Sequence, residues 1–296
     1  MLGMNQPPLF YYNILFIFAM KSIGRRMVKI KKRDIAWMLL VLLTSCNGVF
    51  DTHPYDVNIS GERNINVTNI KKIEESCKDK DTLRIACISD THVWFSDTED
   101  MVNDINARSN VDFVIHCGDL SDTGVQKEFE WTRSILGGLS KPYVALIGNH
   151  DFLGTGDEVF SRIWGDYDFS FIAARVKFVC LNTNAIEYNY LAAVPNFDFM
   201  EEQIKQDSAS FDRTIVCMHA RPYCEQFNNN VAKAFEFYIH LFPHTMFCIN
   251  GHDHSLQVDD IYKDGIIYYG IDCASSRTYL LFTITPTDYK YEVIHF

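Results

Sequence analysis

Three stretches decide the fold: Leu83-Arg84-Ile85-Ala86-Cys87-Ile88-Ser89-Asp90-Thr91-His92, Val111-Asp112-Phe113-Val114-Ile115-His116-Cys117-Gly118-Asp119, and Pro142-Tyr143-Val144-Ala145-Leu146-Ile147-Gly148-Asn149-His150-Asp151. Each is a short apolar run that breaks off in polar residues. Such near-continuous apolar runs read as strands buried on both faces. The stretches between them, 98–108 and 125–137, read as helices. The order is therefore βαβαβ, which calls for a parallel sheet with helices against its faces.

Outward from there the pattern changes. Ser170–Ala174 and Val176–Leu181 read as a hairpin, and Phe197–Gln206 as a helix. Thr214–Met218 is a buried strand ending at His219, 231–241 a helix, and Thr245–Ile249 a strand ending at Asn250-Gly251-His252. From Gln257 the tail reads as strands joined by Lys263-Asp264-Gly265 and Thr285-Pro286-Thr287-Asp288, both suited to tight turns. One mixed α/β domain over 81–296 is the economical organisation.

In an open α/β sheet, ligands bind beyond the carboxyl ends of the strands. Five such ends here carry polar groups, and they hold five of the ten histidines. Carboxylates and neutral imidazoles are ligands for zinc, iron and manganese. Asp90 and His92 flank Thr91, and His252 and His254 flank Asp253, so in extended chain each pair points one way. Gly118, Gly148 and Gly251 would let the backbone turn sharply beside them. Two ions about 3.5–4 Å apart need a bridging carboxylate, and Asp119 is the natural candidate.

Asp90-x-His92, Gly118-Asp119, Gly148-Asn149-His150-Asp151, His219 and Gly251-His252-x-His254, in this order, resemble the calcineurin-like metallophosphoesterase family. The resemblance implies a four-layer α/β/β/α sandwich of two mixed sheets. It implies one ion on Asp90, His92, Asp119 and His254, and a second on Asp119, Asn149, His219 and His252. The ions would be Mn, Fe or Zn. His150 would lie outside the ligand set, near the leaving group, with Asp151 orienting that part of the site. The implied reaction is hydrolysis of a phosphomonoester or phosphodiester by a metal-activated water.

Some positions depart from the family pattern. Met218 precedes His219, and Arg221 follows two residues on, where its fork could reach a substrate phosphate. Asp253 stands between the last two histidines and would point away from the metals, free for a supporting contact. Trp94 and Phe95, like Tyr188 and Tyr190, suit either an aromatic platform or loop packing.

The composition sets limits. With 47% apolar and 22% charged residues in 296, the chain is neither disordered nor a disulfide-stapled module. Residues 1–45 hold seven bases and one acid. Of the 27 bases and 38 acids, 20 and 37 remain, a net charge of −17 for the rest. That excess argues against duplex nucleic acid as a partner. The front end has a basic cluster (Lys29, Lys31, Lys32, Arg33), an apolar run from Ile35 to Leu43, then Thr44-Ser45-Cys46. This is the layout of a secretory signal. Leu43-Thr44-Ser45-Cys46 also resembles the lipobox of bacterial lipoproteins. That resemblance implies lipidation at Cys46, a membrane-lipid anchor and export to the periplasm or cell surface. A second apolar run, Leu9 to Met20, suggests that translation starts at Met20 or Met27. Residues 46–80 read as a polar tether with a short helix at Val67–Cys77.

Cys87, Cys117, Cys180, Cys217 and Cys248 sit inside apolar runs and read as core residues, and no CxxC pair exists. Cys224 and Cys273 are the best candidates for a disulfide. The functional alternatives to a phosphoesterase are a nuclease acting on small or single-stranded substrates and a surface-anchored binding protein with a vestigial metal site.

Overall fold

The computed structural model describes residues 55–296. The targeting segment 1–45, Cys46 and both start candidates lie outside the described residues.

Helix α1 (Ile65–Cys77) leads into β1 (Leu83–Ile88), α2 (Phe95–Ala107), β2 (Phe113–His116), α3 (Gln126–Leu136), β3 (Tyr143–Ala145) and α4 (Gly156–Ile163). The chain continues through β4 (Phe169–Ala173), β5 (Val176–Leu181), α5 (Phe197–Lys205), β6 (Arg213–Met218), α6 (Ala232–Leu241) and β7 (Thr245–Asn250). Four strands close it: β8 (Gln257–Asp259), β9 (Ile267–Gly270), β10 (Thr278–Ile284) and β11 (Tyr289–His295). The expected helices and strands are all present, with ends shifted by a few residues. Helix α4 was not anticipated.

Two mixed sheets form, in the orders β11-β10-β1-β2-β3 and β4-β5-β6-β7-β9-β8. Within the first, β1, β2 and β3 are parallel; within the second, β5, β6, β7 and β9 are. Side-chain alternation assigns each strand residue to a layer. Ile85, Cys87 and Ile115 face Phe178, Cys180, Cys217 and Ile249 across the gap between the sheets. Ala86, Ile88 and Val114 face the other way, onto Met101, Ile105, Phe129 and Phe160 of the helices. Val179, Val216 and Cys248 meet Met200, Phe235 and Ile239 on the far side. The result is the four-layer α/β/β/α sandwich, and both faces of each central strand are dry, which is why those runs are continuously apolar.

Two expectations need correction. Residues 46–80 are not a free tether over 59–77: Ile59, Ile65, Ile73 and Cys77 are buried in the cores. The physical reason is the exposed edge of β3. Asn66 Nδ2 donates to the Ala145 carbonyl at 2.8 Å while its Oδ1 accepts from Ala145 N at 2.9 Å. Asn69 Nδ2 donates to Tyr143 O at 2.9 Å. The two amides stand in for a neighbouring strand and cover an edge that would otherwise be unpaired. The disulfide is also absent: Cys224 and Cys273 are both free. Cys224 packs with the aromatic residues behind the second sheet, whereas Cys273 lies 3.2 Å from Ser275 Oγ in the loop before β10.

Asn66→Ala leaves the Ala145 N–H and C=O buried without partners. Urea unfolding should show a loss of about 1–3 kcal/mol, with the midpoint shifting and the slope unchanged.

Candidate metal centre

Parallel pairing of β1 with β2 brings the ends of both strands to one rim. Beyond them the backbone stays stitched: Asp90 N donates to Gly118 O, and Thr91 N and His92 N both donate to Asp119 O, at 3.0–3.1 Å. The second sheet supplies His219 after β6 and Gly251-His252 after β7, joined by Gly251 N to His219 O at 3.1 Å. Among the bonds that cross between the sheets, two involve the strand-end backbone directly. His219 Nδ1 donates to Cys117 O at 2.7 Å, and His252 N donates to Asp90 Oδ2 at 3.1 Å.

The side chains converge, though not by strand alternation. Asp90, His92, Asp119, His252 and His254 all have positive φ, between 42° and 70°. Left-handed backbone costs a non-glycine residue about 1–2 kcal/mol, and five such positions in one rim mark a site held by its surroundings. The glycines also act differently from expectation. Only Gly118 has the left-handed φ, +101°. A Cβ on Gly148 would sit 2.1 Å from Asp119 Oδ1, and one on Gly251 2.0 Å from Ser89 Oγ, so these two provide room for the ligands.

Two groups of donor side chains share one carboxylate. In the first, one atom each of Asp90, His92, Asp119 and His254 lies within 4.8 Å of the others. His254 Nε2 is 3.1 Å from Asp90 Oδ1 and 3.2 Å from His92 Nε2. In the second, His219 Nε2 lies 3.3 Å from Asp119 Oδ2 and 3.0 Å from Asn149 Oδ1, which is also 3.0 Å from His252 Nδ1. Asp119 Oδ1 is occupied by His150 N at 2.9 Å, leaving Oδ2 between the two sets.

The donor chemistry fits cations. Asp90 Oδ1 is buried without a hydrogen bond. The Cys117 carbonyl can only accept, so His219 carries its proton on Nδ1; in the neutral ring, Nε2 is then a lone pair facing two oxygens. Burial opposes charge on His219, yet Asp119 and Asp90 override it and raise its pKa to about 10. The pocket thus demands positive charge. Burial pushes Asp119 up as well, but the imidazoles of His219, His92 and His150 hold it below the usual carboxylate range. These clusters can coordinate one or two divalent ions, as in a dinuclear site.

The family model for calcineurin-like phosphoesterases matches residues 83–256, which include both groups. The chain belongs to the calcineurin-like phosphoesterase family. Its clustered His and Asp side chains are consistent with metal-dependent hydrolysis of phosphate esters. A probable cyclic nucleotide phosphodiesterase of Fibrobacter succinogenes is 29% identical over 100 residues, which span 30% of this chain and 38% of that protein. Among solved structures, GAP50, the anchor in the inner membrane complex of Plasmodium, is similar with TM-score 0.55 and 13% identity, over 73% of this chain and 85% of that one. Purple acid phosphatase PPD1 from yellow lupin also gives 0.55, at 11% identity, over 72% and 51%. At these identities the likeness is one of fold.

Around this calcineurin-like centre the remaining expected residues take distinct places. His150 is partly exposed, and its Nδ1 donates to the Asp122 carbonyl at 2.7 Å, which leaves Nε2 free. Asp151 is fully buried and accepts from Gly148 N, Leu120 N, Ser121 N and Ser121 Oγ at 2.9–3.2 Å. It clamps the loops carrying Asp119 and Asn149 together and is turned away from the open side. Arg221 is engaged with Asp253 at 2.6 Å, so the two departures from the family pattern satisfy each other. Trp94 packs edge-on against His92 and His254, at 5.1 and 5.8 Å between ring centres. Phe95 instead meets Trp131, and Tyr188 meets Phe152.

Three neighbours escaped the sequence reading. Asp122 Oδ1 is 3.3 Å from His92 Nδ1. Glu225 Oε1 is 2.9 Å from His252 Nε2. His116 lies beneath the site, accepting from Gly118 N and 3.0 Å from Thr91 Oγ1; burial drives its pKa down to about 3 and keeps it neutral. Asp122, three residues past Asp119, had a local signal; Glu225 and His116 had none.

Gly148→Ala should displace Asp119. Metal analysis of the purified variant should show less than about half the wild-type content, and turnover should fall by at least about 100-fold, as expected when the carboxylate common to both groups is displaced.

Proposed function

We propose that the chain hydrolyses phosphodiesters in preference to phosphomonoesters, with ions held by Asp90, His92, Asp119 and His254 and by Asp119, Asn149, His219 and His252. The observation that carries the diester preference is the Arg221–Asp253 pair. A monoester dianion needs more positive charge than a diester monoanion, and the base next to His219 is already neutralised at 2.6 Å. No lysine or arginine pairs with Asp90, Asp119 or Asp122 among the described residues. The name of the Fibrobacter relative agrees with this reading. Bound ions supply the charge that draws in the phosphoryl group and acidifies water. The chain's own part is positional. Asp122 fixes the His150 ring through its carbonyl, which takes up Nδ1 and leaves Nε2 for the substrate. From there a protonated His150 stabilises a phosphoryl oxygen or delivers its proton to the leaving oxygen.

kcat/KM for bis(p-nitrophenyl) phosphate should exceed that for p-nitrophenyl phosphate; the reverse order would overturn the preference. His150→Ala should keep its metal while kcat drops by about 10²–10⁴.

We also propose that the protein is exported and held at a bacterial membrane through lipid on Cys46, with residues 1–45 as the targeting segment, residues 46–80 as the polar stretch that tethers the domain, and residues 81–296 as the metallophosphoesterase domain. The basic cluster, the apolar run and Thr44-Ser45-Cys46 support this reading. Among the described residues no helix is long and apolar enough to cross a membrane. The acid excess of the chain beyond residue 45 supports small esters over duplex nucleic acid as partners. Cys46→Ser should move the protein from the membrane pellet to the soluble fraction after cell fractionation.

A further inference from the structure

A second group of metal-type side chains lies at the opposite edge of the second sheet. Helix α6 runs back between parallel strands β6 and β7, so its last turn sits near the start of β7, far from Asn250-Gly251-His252 at that strand's end. Glu236 and His240 are one helical turn apart there and share a face of α6. Asp264 comes from the turn joining β8 to β9, at the same edge. His240 Nε2 is 2.8 Å from Asp264 Oδ2, and one ligand atom from each of the three residues lies within 4.8 Å of the other two.

Asp264 is not a loose surface group. Its backbone N–H and that of Gly265 donate to the Asp260 carboxylate at 3.0 and 3.2 Å. Its Oδ1 accepts from Ile266 N at 2.9 Å, which leaves Oδ2 directed at His240. The side chain is only 15% exposed, while His240 is open to solvent, so an ion could enter. Glu236, His240 and Asp264 thus gather two carboxylates around one imidazole. Among the described residues no lysine or arginine forms an ion pair with either carboxylate, the adjacent Lys263 included.

We propose that Glu236, His240 and Asp264 bind a divalent cation of the zinc type, separate from the catalytic pair. One imidazole nitrogen and two carboxylate oxygens form a three-ligand set that water completes. The ion takes the place of the proton that His240 shares with Asp264. It ties the end of α6 to the β8–β9 hairpin, the element that begins three residues after His254.

The test uses full-length protein with its catalytic centre saturated, titrated with zinc alone. Equilibrium dialysis with metal analysis should show about one additional zinc per wild-type chain, absent in His240→Ala and Asp264→Asn. Glu236→Gln should weaken that extra site by at least about tenfold. Zinc should raise the melting temperature of the wild type but not of His240→Ala. Turnover of the aryl diester by His240→Ala should stay within about twofold of wild type, which separates this site from the catalytic one. Equal zinc content in folded wild type and His240→Ala would overturn the proposal, as would a wild-type melting temperature that zinc leaves unchanged.

Discussion

Asp119 Oδ2 is a buried anionic oxygen with imidazole nitrogens on two sides. The Cys117 carbonyl holds the Nδ1 proton of His219, so its Nε2 faces Asp119, and Asp90 Oδ1 has no hydrogen bond of its own. Only positive charge relieves this arrangement. The features around it keep it from relaxing by other means. Gly148 lets the next loop approach Asp119 closely, Asp151 draws four donors inward to hold that loop, and five left-handed ligand positions keep the lone pairs aimed at common points. Each of these would be unfavourable in isolation, and together they make sense only around cations.

The ligands come from both sheets, so their geometry depends on how the sheets sit on each other. Between the sheets lies a dry layer of small and medium side chains, among them Cys87, Cys117, Cys180 and Cys217 directly beneath the rim. Such a layer is close-packed and resists sliding. The bonds from His219 to Cys117 and from His252 to Asp90 then fix the remaining offset.

The architecture was legible because dry strands flanked by helices leave unbroken apolar runs, and each run ended where chemistry began. The convergence of Asp90, His92, Asp119 and His254 was legible for the same reason. What the sequence hid was mostly long-range or conformational. Alternation was the wrong cause for the pairing of Asp90 with His92, since backbone handedness leaves no trace in residue type. Arg221 looked available because its partner Asp253 lies 32 residues away on another loop. Glu225 reaches His252 from a loop with no pattern of its own. Asn66 and Asn69 gave the polar composition that suggested a tether, when their amides serve a strand that is distant in sequence.

That last feature bears on how the molecule is handled. A fragment begun at residue 81, where the first strand seems to start, would lack α1. Strand β3 would then present bare amides and carbonyls along its outer side, next to β2 and the loop that carries Asp119. An open strand of this kind recruits others like itself, so the truncated protein would associate edge to edge, with the core surface that Ile65, Ile73 and Cys77 cover laid bare as well.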